Sequence, residues 1–117
     1  MAFKFEKLEV WQKSLAFSLD IHELTRTFPR EELYILTAQI KRAADSVALN
    51  IAEWSTGQTN AEFKLFLSYA IRSAIEVVAC LHVGSKRNII KENQFQKLYS
   101  DIEIIVKMLH ALRNSLK

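Results

Sequence analysis

FPREELYILTAQIKRAADSVALNIAE, running from Phe28 to Glu53, is the stretch whose reading decides the fold. Its apolar residues recur at helical spacing, and the one proline of the chain, Pro29, sits where a first helical turn tolerates it. Glu31 and Glu32 follow, placed where the positive end of a helix dipole favours acids. Proline also keeps Phe28 out of helical geometry, so any preceding helix must stop there. The helix is expected to end near Trp54, ahead of Ser55-Thr56-Gly57.

Three further helices extend outward from this one. The first runs from about Leu8 to Arg26. The third has Thr59 as N-cap with Glu62 three residues on, a capping-box spacing, and is expected to run to about Val83 with Gly84 as its stop. The fourth spans about Glu92 to Leu116, and Lys107, Arg113 and Lys117 weight its end favourably. With only 2 glycines and 1 proline in 117 residues, a many-stranded sheet is disfavoured and long helices joined by short loops are favoured. The length suits one domain spanning 1–117, with no linker, repeat or low-complexity tract. The fold class expected is all-α. No apolar run approaches the roughly 18 residues of a membrane span, and the amino terminus does not read as a signal peptide. One cysteine, Cys80, makes no internal disulfide, which fits a reducing cytoplasm.

The first helix carries two opposed apolar stripes. Leu8, Trp11, Leu15, Leu19 and His22 gather on one face, and Val10, Phe17, Ile21, Leu24 and Phe28 on the other. A peripheral helix of a lone bundle needs one stripe, so the second implies a neighbouring subunit. Val10, Phe17, Ile21 and Leu24 are the residues expected at that oligomer interface.

Residue types that carry chemistry are sparse. His22, His82 and His110 lie on three different helices with no metal-ligand spacing, and no Glu-x-x-His pair occurs. There is no glycine-rich phosphate loop and no nucleophile elbow. Neither an enzyme, a cofactor, a metal nor a small-molecule substrate is expected. Net charge is +3, and it is concentrated: Lys86, Arg87, Lys91 and Lys97 against Glu92 make a local +3 within residues 84–97. That corner, with Lys41 and Arg42, supplies the candidate phosphate contacts. Asp45 lies four residues beyond Lys41 and three beyond Arg42, so a local ion-pair cluster is the competing reading.

The residues then form a longer pattern: Leu8-x-x-Trp11; Phe28-Pro29-x-x-Glu32-x-Tyr34-x-Leu36; Gln39-Ile40-Lys41-Arg42-Ala43-Ala44-x-Ser46-Val47; Asn50-Ile51-Ala52-Glu53; and Glu62-Phe63-x-x-Phe66-Leu67-x-x-Ala70, with Ser73 and Glu76 beyond. Over nearly its full length the chain resembles the four-helix-bundle proteins encoded in intervening sequences of bacterial 23S rRNA genes. The resemblance implies an antiparallel up-and-down four-helix bundle that assembles into a homopentameric ring, with no established catalysis and a conjectured association with RNA or a ribonucleoprotein. A related branch serves as a basic accessory subunit of reverse transcriptases. The chain departs from the family by placing Ile35, Trp54 and Arg72 where glycine is usual. The loop Trp54-Ser55-Thr56-Gly57-Gln58 lacks the family's arginines. Two functions are therefore expected: a non-catalytic oligomer binding RNA, or a protein-interaction accessory subunit.

Overall fold

The structure is a computed structural model that describes residues 3–116. Four α-helices form it: α1 (Glu9–Thr25), α2 (Ala38–Trp54), α3 (Asn60–Lys86) and α4 (Glu92–Asn114). A 3-10 turn, Lys4–Lys7, precedes α1, and a 3-10 turn followed by a π-helical turn, Arg30–Glu32 and Leu33–Thr37, leads into α2. No strand occurs among the described residues. At about 1.5 Å per residue the 27 residues of α3 account for the 43 Å long axis of the molecule. The links 55–59 and 87–91 each have five residues, which reach at most about 17 Å. That is too short to return to the start of a helix, so α2, α3 and α4 run antiparallel in succession. Packing is square: α1 and α3 each contact both α2 and α4.

The core lies where the four inward stripes meet, with Ile21, Ile40, Ile51, Leu67, Leu81, Ile102 and Leu109 fully buried. It corrects the reading of the first helix. Val10, Phe17, Ile21 and Leu24, expected at an oligomer interface, are buried inside this chain's own core. The exposed stripe is the opposite one, with Leu15 at 51% and Leu19 at 62% exposure. The reason is Ser14, which shares the core face of α1: it is buried and donates its hydroxyl to the Val10 carbonyl at 2.8 Å. Its small side chain lets α1 approach, whereas Leu8 and Trp11 are only half covered, Trp11 by the Phe5 ring 4.8 Å away.

Regular α-helix begins nine residues after Pro29, at Ala38, later than the sequence suggests. The Glu32 carboxylate accepts from the Leu36 amide at 3.4 Å, and the π turn it opens changes the register. Leu36 and Thr37 turn inward while three successive apolar residues, Leu33, Tyr34 and Ile35, stay exposed. The Thr59 cap forms as expected, accepting from the Glu62 amide at 3.1 Å. Trp54 is buried, packed on Phe63 and covered by the Lys4 ammonium 4.9 Å from its ring. Ile35 and Arg72, the other two departures, are exposed, so their bulk meets no backbone within the chain. Of the described helices, α3 alone is long and apolar enough to cross a membrane, with mean hydropathy 1.4 over its most apolar window. Its apolar face, Leu67, Ala70, Ile71, Ala74, Val77 and Leu81, is buried in the bundle.

Gly84 is not the stop expected of it, because α3 continues through it to Lys86. The reversal falls instead at Asn88, which takes φ 60, a left-handed conformation that asparagine tolerates. Gly84 is required for close approach: a Cβ there would stand 2.4 Å from Ile90 Cδ1 and 2.7 Å from its Cγ1. Gly84→Ala gains up to about 1 kcal/mol of helix propensity but overpacks a buried contact, at a typical cost of about 1–3 kcal/mol. The expected net loss of about 1 kcal/mol is read as a lower urea midpoint with unchanged slope. Combined with Ile90→Ala, which removes the clashing atoms, Gly84→Ala should cost nothing further.

Candidate functional site

An uncovered apolar surface lies along the α1–α2 seam. The outward stripe of α1 contributes Leu15 and Leu19, the π turn contributes Leu33 and Tyr34, and α2 contributes Leu49. Tyr34 is 90% and Leu49 62% exposed. Two grooves on this seam share His22 and Asp45 and so form one continuous trough.

A polar cluster occupies its middle. Ser18 and His22, four residues apart on α1, face Asp45 of α2. The Ser18 hydroxyl donates to Asp45 Oδ1, and His22 Nε2 stands 3.0 Å from Oδ1 and 3.3 Å from Oδ2. A carboxylate only accepts, so this geometry places the imidazole proton on Nε2. Serine, aspartate and histidine are present, but the carboxylate stands between the other two. The serine proton points at Asp45 and not at an imidazole base, which is the wrong order for an activated nucleophile. Asp45 was read as a partner for Lys41 and Arg42; its described partners are Ser18 and His22 instead. Lys41 and Arg42 line the same trough, and neither has an ion pair among the described contacts.

The remaining basic candidates do not gather into one surface. Arg87 Nη1 lies 3.6 Å from Glu32 Oε2 and lines a separate groove between α2 and α3. Lys97 Nζ is held by Asp101 at 2.8 Å and by Asp20 at 3.6 Å, on the α1–α4 seam. Its hydrogen bond to Asp101 keeps its pKa above the ordinary lysine value; desolvation opposes this, and the charges of both aspartates support it. Only Lys86 and Lys91 of the corner lack a described ion pair. Two of the corner's four cations are therefore paired with acids, Glu32 and Asp20 distant in sequence and Asp101 four residues beyond Lys97.

The α2–α3 groove presents Ile35, Ala79 and Val83 beside Gln39 and Glu76, whose side chains meet at 3.3 Å. Cys80 lines its floor and is buried. Burial, and secondarily the Glu76 charge, push its thiol above the ordinary range, which makes it a poor nucleophile. His82 packs against the Phe95 and Tyr99 rings. Among the described residues no three His, Cys, Asp or Glu side chains are placed to hold a metal. The Ser18–His22–Asp45 cluster escaped sequence reasoning because its members are far apart in the chain. The available signal was a serine and a histidine at helical spacing beside an exposed leucine stripe.

The sequence model of the 23S rRNA-intervening sequence protein family matches residues 6–111. Among solved structures, the chain is similar to a protein of unknown function from the S23 ribosomal protein family of Bacteroides thetaiotaomicron VPI-5482. The two are 27% identical, with 90% of this chain and 95% of that one covered, at a TM-score of 0.84. Among curated proteins nothing matches.

The pairing of Asp45 with Ser18 and His22 of α1 is measurable. Asp45→Asn weakens its bonds to Ser18 and His22 and is expected to cost about 0.5–1.5 kcal/mol in urea unfolding. A double-mutant cycle of Asp45 with His22 should show coupling, while a cycle with Arg42 should be additive to within about 0.3 kcal/mol.

Proposed function

Because the chain belongs to the 23S rRNA-intervening sequence protein family, we propose that it works without catalysis, as a homo-oligomeric interaction subunit joined through its α1–α2 face. The exposed trough of Leu15, Leu19, Leu33, Tyr34 and Leu49 carries this reading. An apolar surface of that extent on a small bundle is characteristic of a contact surface. The second groove, with Ile35, Ala79 and Val83, flanks α2 on its other side. Two unlike apolar faces on one chain suit head-to-tail contact, which closes into a ring when the rotation allows. A pentamer is the ring that the family resemblance suggests. On this reading, the ring surface docks a larger ribonucleoprotein or enzyme, of which a reverse transcriptase is one candidate.

Direct RNA binding is the second reading. It rests on Lys41, Arg42, Lys86 and Lys91, which are without described ion pairs. Arg87 and Lys97, compensated by carboxylates, support it less.

Light scattering on a size-exclusion column tests the first reading. The wild-type protein should show a salt-resistant mass that is a multiple of 13.5 kDa. Leu19→Glu with Leu49→Glu should return it to a single chain. Both positions are exposed, so stability should move by no more than about 0.5 kcal/mol. Phe17→Glu, by contrast, should unfold the chain. A wild-type monomer at every concentration overturns the reading. RNA that remains bound to the Leu19→Glu, Leu49→Glu protein and is lost on neutralising Lys86 and Lys91 would favour the second.

A further inference from the structure

We propose that the cleft between the beginning of α3 and the end of α4 binds a phosphate group through Lys64, Ser68, Arg113 and Asn114. These four side chains and Leu116 line it. Lys64 and Ser68 are four residues apart on α3 and share a face, while Arg113 and Asn114 come from the last turn of α4. Arg113 Nη1 donates to Ser68 Oγ at 3.1 Å, which holds the guanidinium across the cleft. One N–H is used there, out of the five a guanidinium carries. Ser68 keeps its own proton to donate, Asn114 offers its amide N–H groups, and Lys64 offers its ammonium.

All four polar side chains therefore present donors, and none is negative. Neither Lys64 nor Arg113 has an ion pair among the described contacts. Four other clefts of the described surface each carry a carboxylate: Asp20 and Asp101 between α1 and α4, Glu76 between α2 and α3, and Asp45 in both parts of the α1–α2 trough. Among the described residues that line the α3–α4 cleft, an anion meets two full cations and no carboxylate. The α4 carbonyls opposing it amount to roughly half a charge. A guanidinium fork beside a hydroxyl and an amide matches the several acceptor oxygens of phosphate. The cleft is open to solvent, so the phosphate of a small molecule and the phosphodiester of a single strand can both reach it. The basic corner at residues 84–97, by contrast, is half compensated.

Two titrations of the full chain separate these sources: calorimetry with inorganic phosphate, and fluorescence anisotropy with a short labelled single-stranded RNA at several salt concentrations. Wild-type protein should bind phosphate saturably. Lys64→Gln with Arg113→Gln should weaken that binding by roughly tenfold or more, and Lys86→Gln with Lys91→Gln should not change it. Lys64→Gln alone, at a position with no described contact to lose, guards against an unfolding artefact and should show part of the loss. Arg113→Lys should bind more weakly than wild type but better than Arg113→Gln. If RNA is the source, removing these two phosphate contacts should shallow the log–log salt slope by about 1.4. Phosphate binding without RNA binding identifies a small phosphate ligand and upholds the cleft. The proposal is overturned if neither ligand binds, or if both bind equally well to the Lys64→Gln, Arg113→Gln protein.

Discussion

The close approach of α2 to α3 is the constraint on which the rest of the bundle depends. The facing residues are small: Ala43, Ala44 and Val47 on α2, and Ala70, Ala74 and Val77 on α3, all buried. Ser46 and Ser73 hydrogen-bond to each other at 2.9 Å across this seam. Serine side chains are short, so their hydroxyls meet only where two backbones are near. Asn50 completes the group by donating to the Ser46 carbonyl and hydroxyl. With α2 drawn onto α3, the larger residues of the bundle fill the space toward α1 and α4, where Phe17, Ile21, Ile102 and Leu109 lie.

That arrangement leaves large apolar residues outside. Where α2 faces α3 its side chains are small, Ile40 and Ile51 fill the core beside them, and further apolar bulk is left outside at Leu49 and in the turn before the helix. The π turn adds to this by exposing Leu33, Tyr34 and Ile35 in succession, Tyr34 toward the α1 side and Ile35 toward α3. Both troughs beside α2 thus receive apolar residues from one local departure from α-helical register. A regular helix from Pro29 onward would rotate at least one of these side chains inward.

The four helices were legible because the chain has almost no residues that interrupt them, and the Thr59–Glu62 cap was legible because it is local. The choice between the two stripes of α1 was not. Apolarity is similar on both, and the deciding residue, Ser14, counts as polar in any hydrophobic pattern although it is buried. Gly84 was misread for a related reason. Glycine near a helix end suggests a stop, but here its missing side chain makes room for Ile90, which the turn through Asn88 folds back onto the helix end. Asp45 had cations at local helical spacing, and the fold gave it Ser18 and His22 from another helix. For Asp45 local spacing competed with contacts between distant residues, and the distant contacts prevailed.

Charge follows the same logic with a different consequence. An exposed pair such as Lys97–Asp20 adds little to stability, about 0–1 kcal/mol, and the Arg87–Glu32 pair is half-exposed. They do reshape the field by cancelling cations that the sequence presents as a block. The uncancelled donors at Lys64 and Arg113 lie between α3 and α4, which in the square packing is the seam opposite the α1–α2 trough. A chain covered along α1–α2 by a second copy would keep that cleft open to solvent. The proposed assembly face and the proposed anion cleft thus lie on opposite sides of one bundle, and neither has to displace the other.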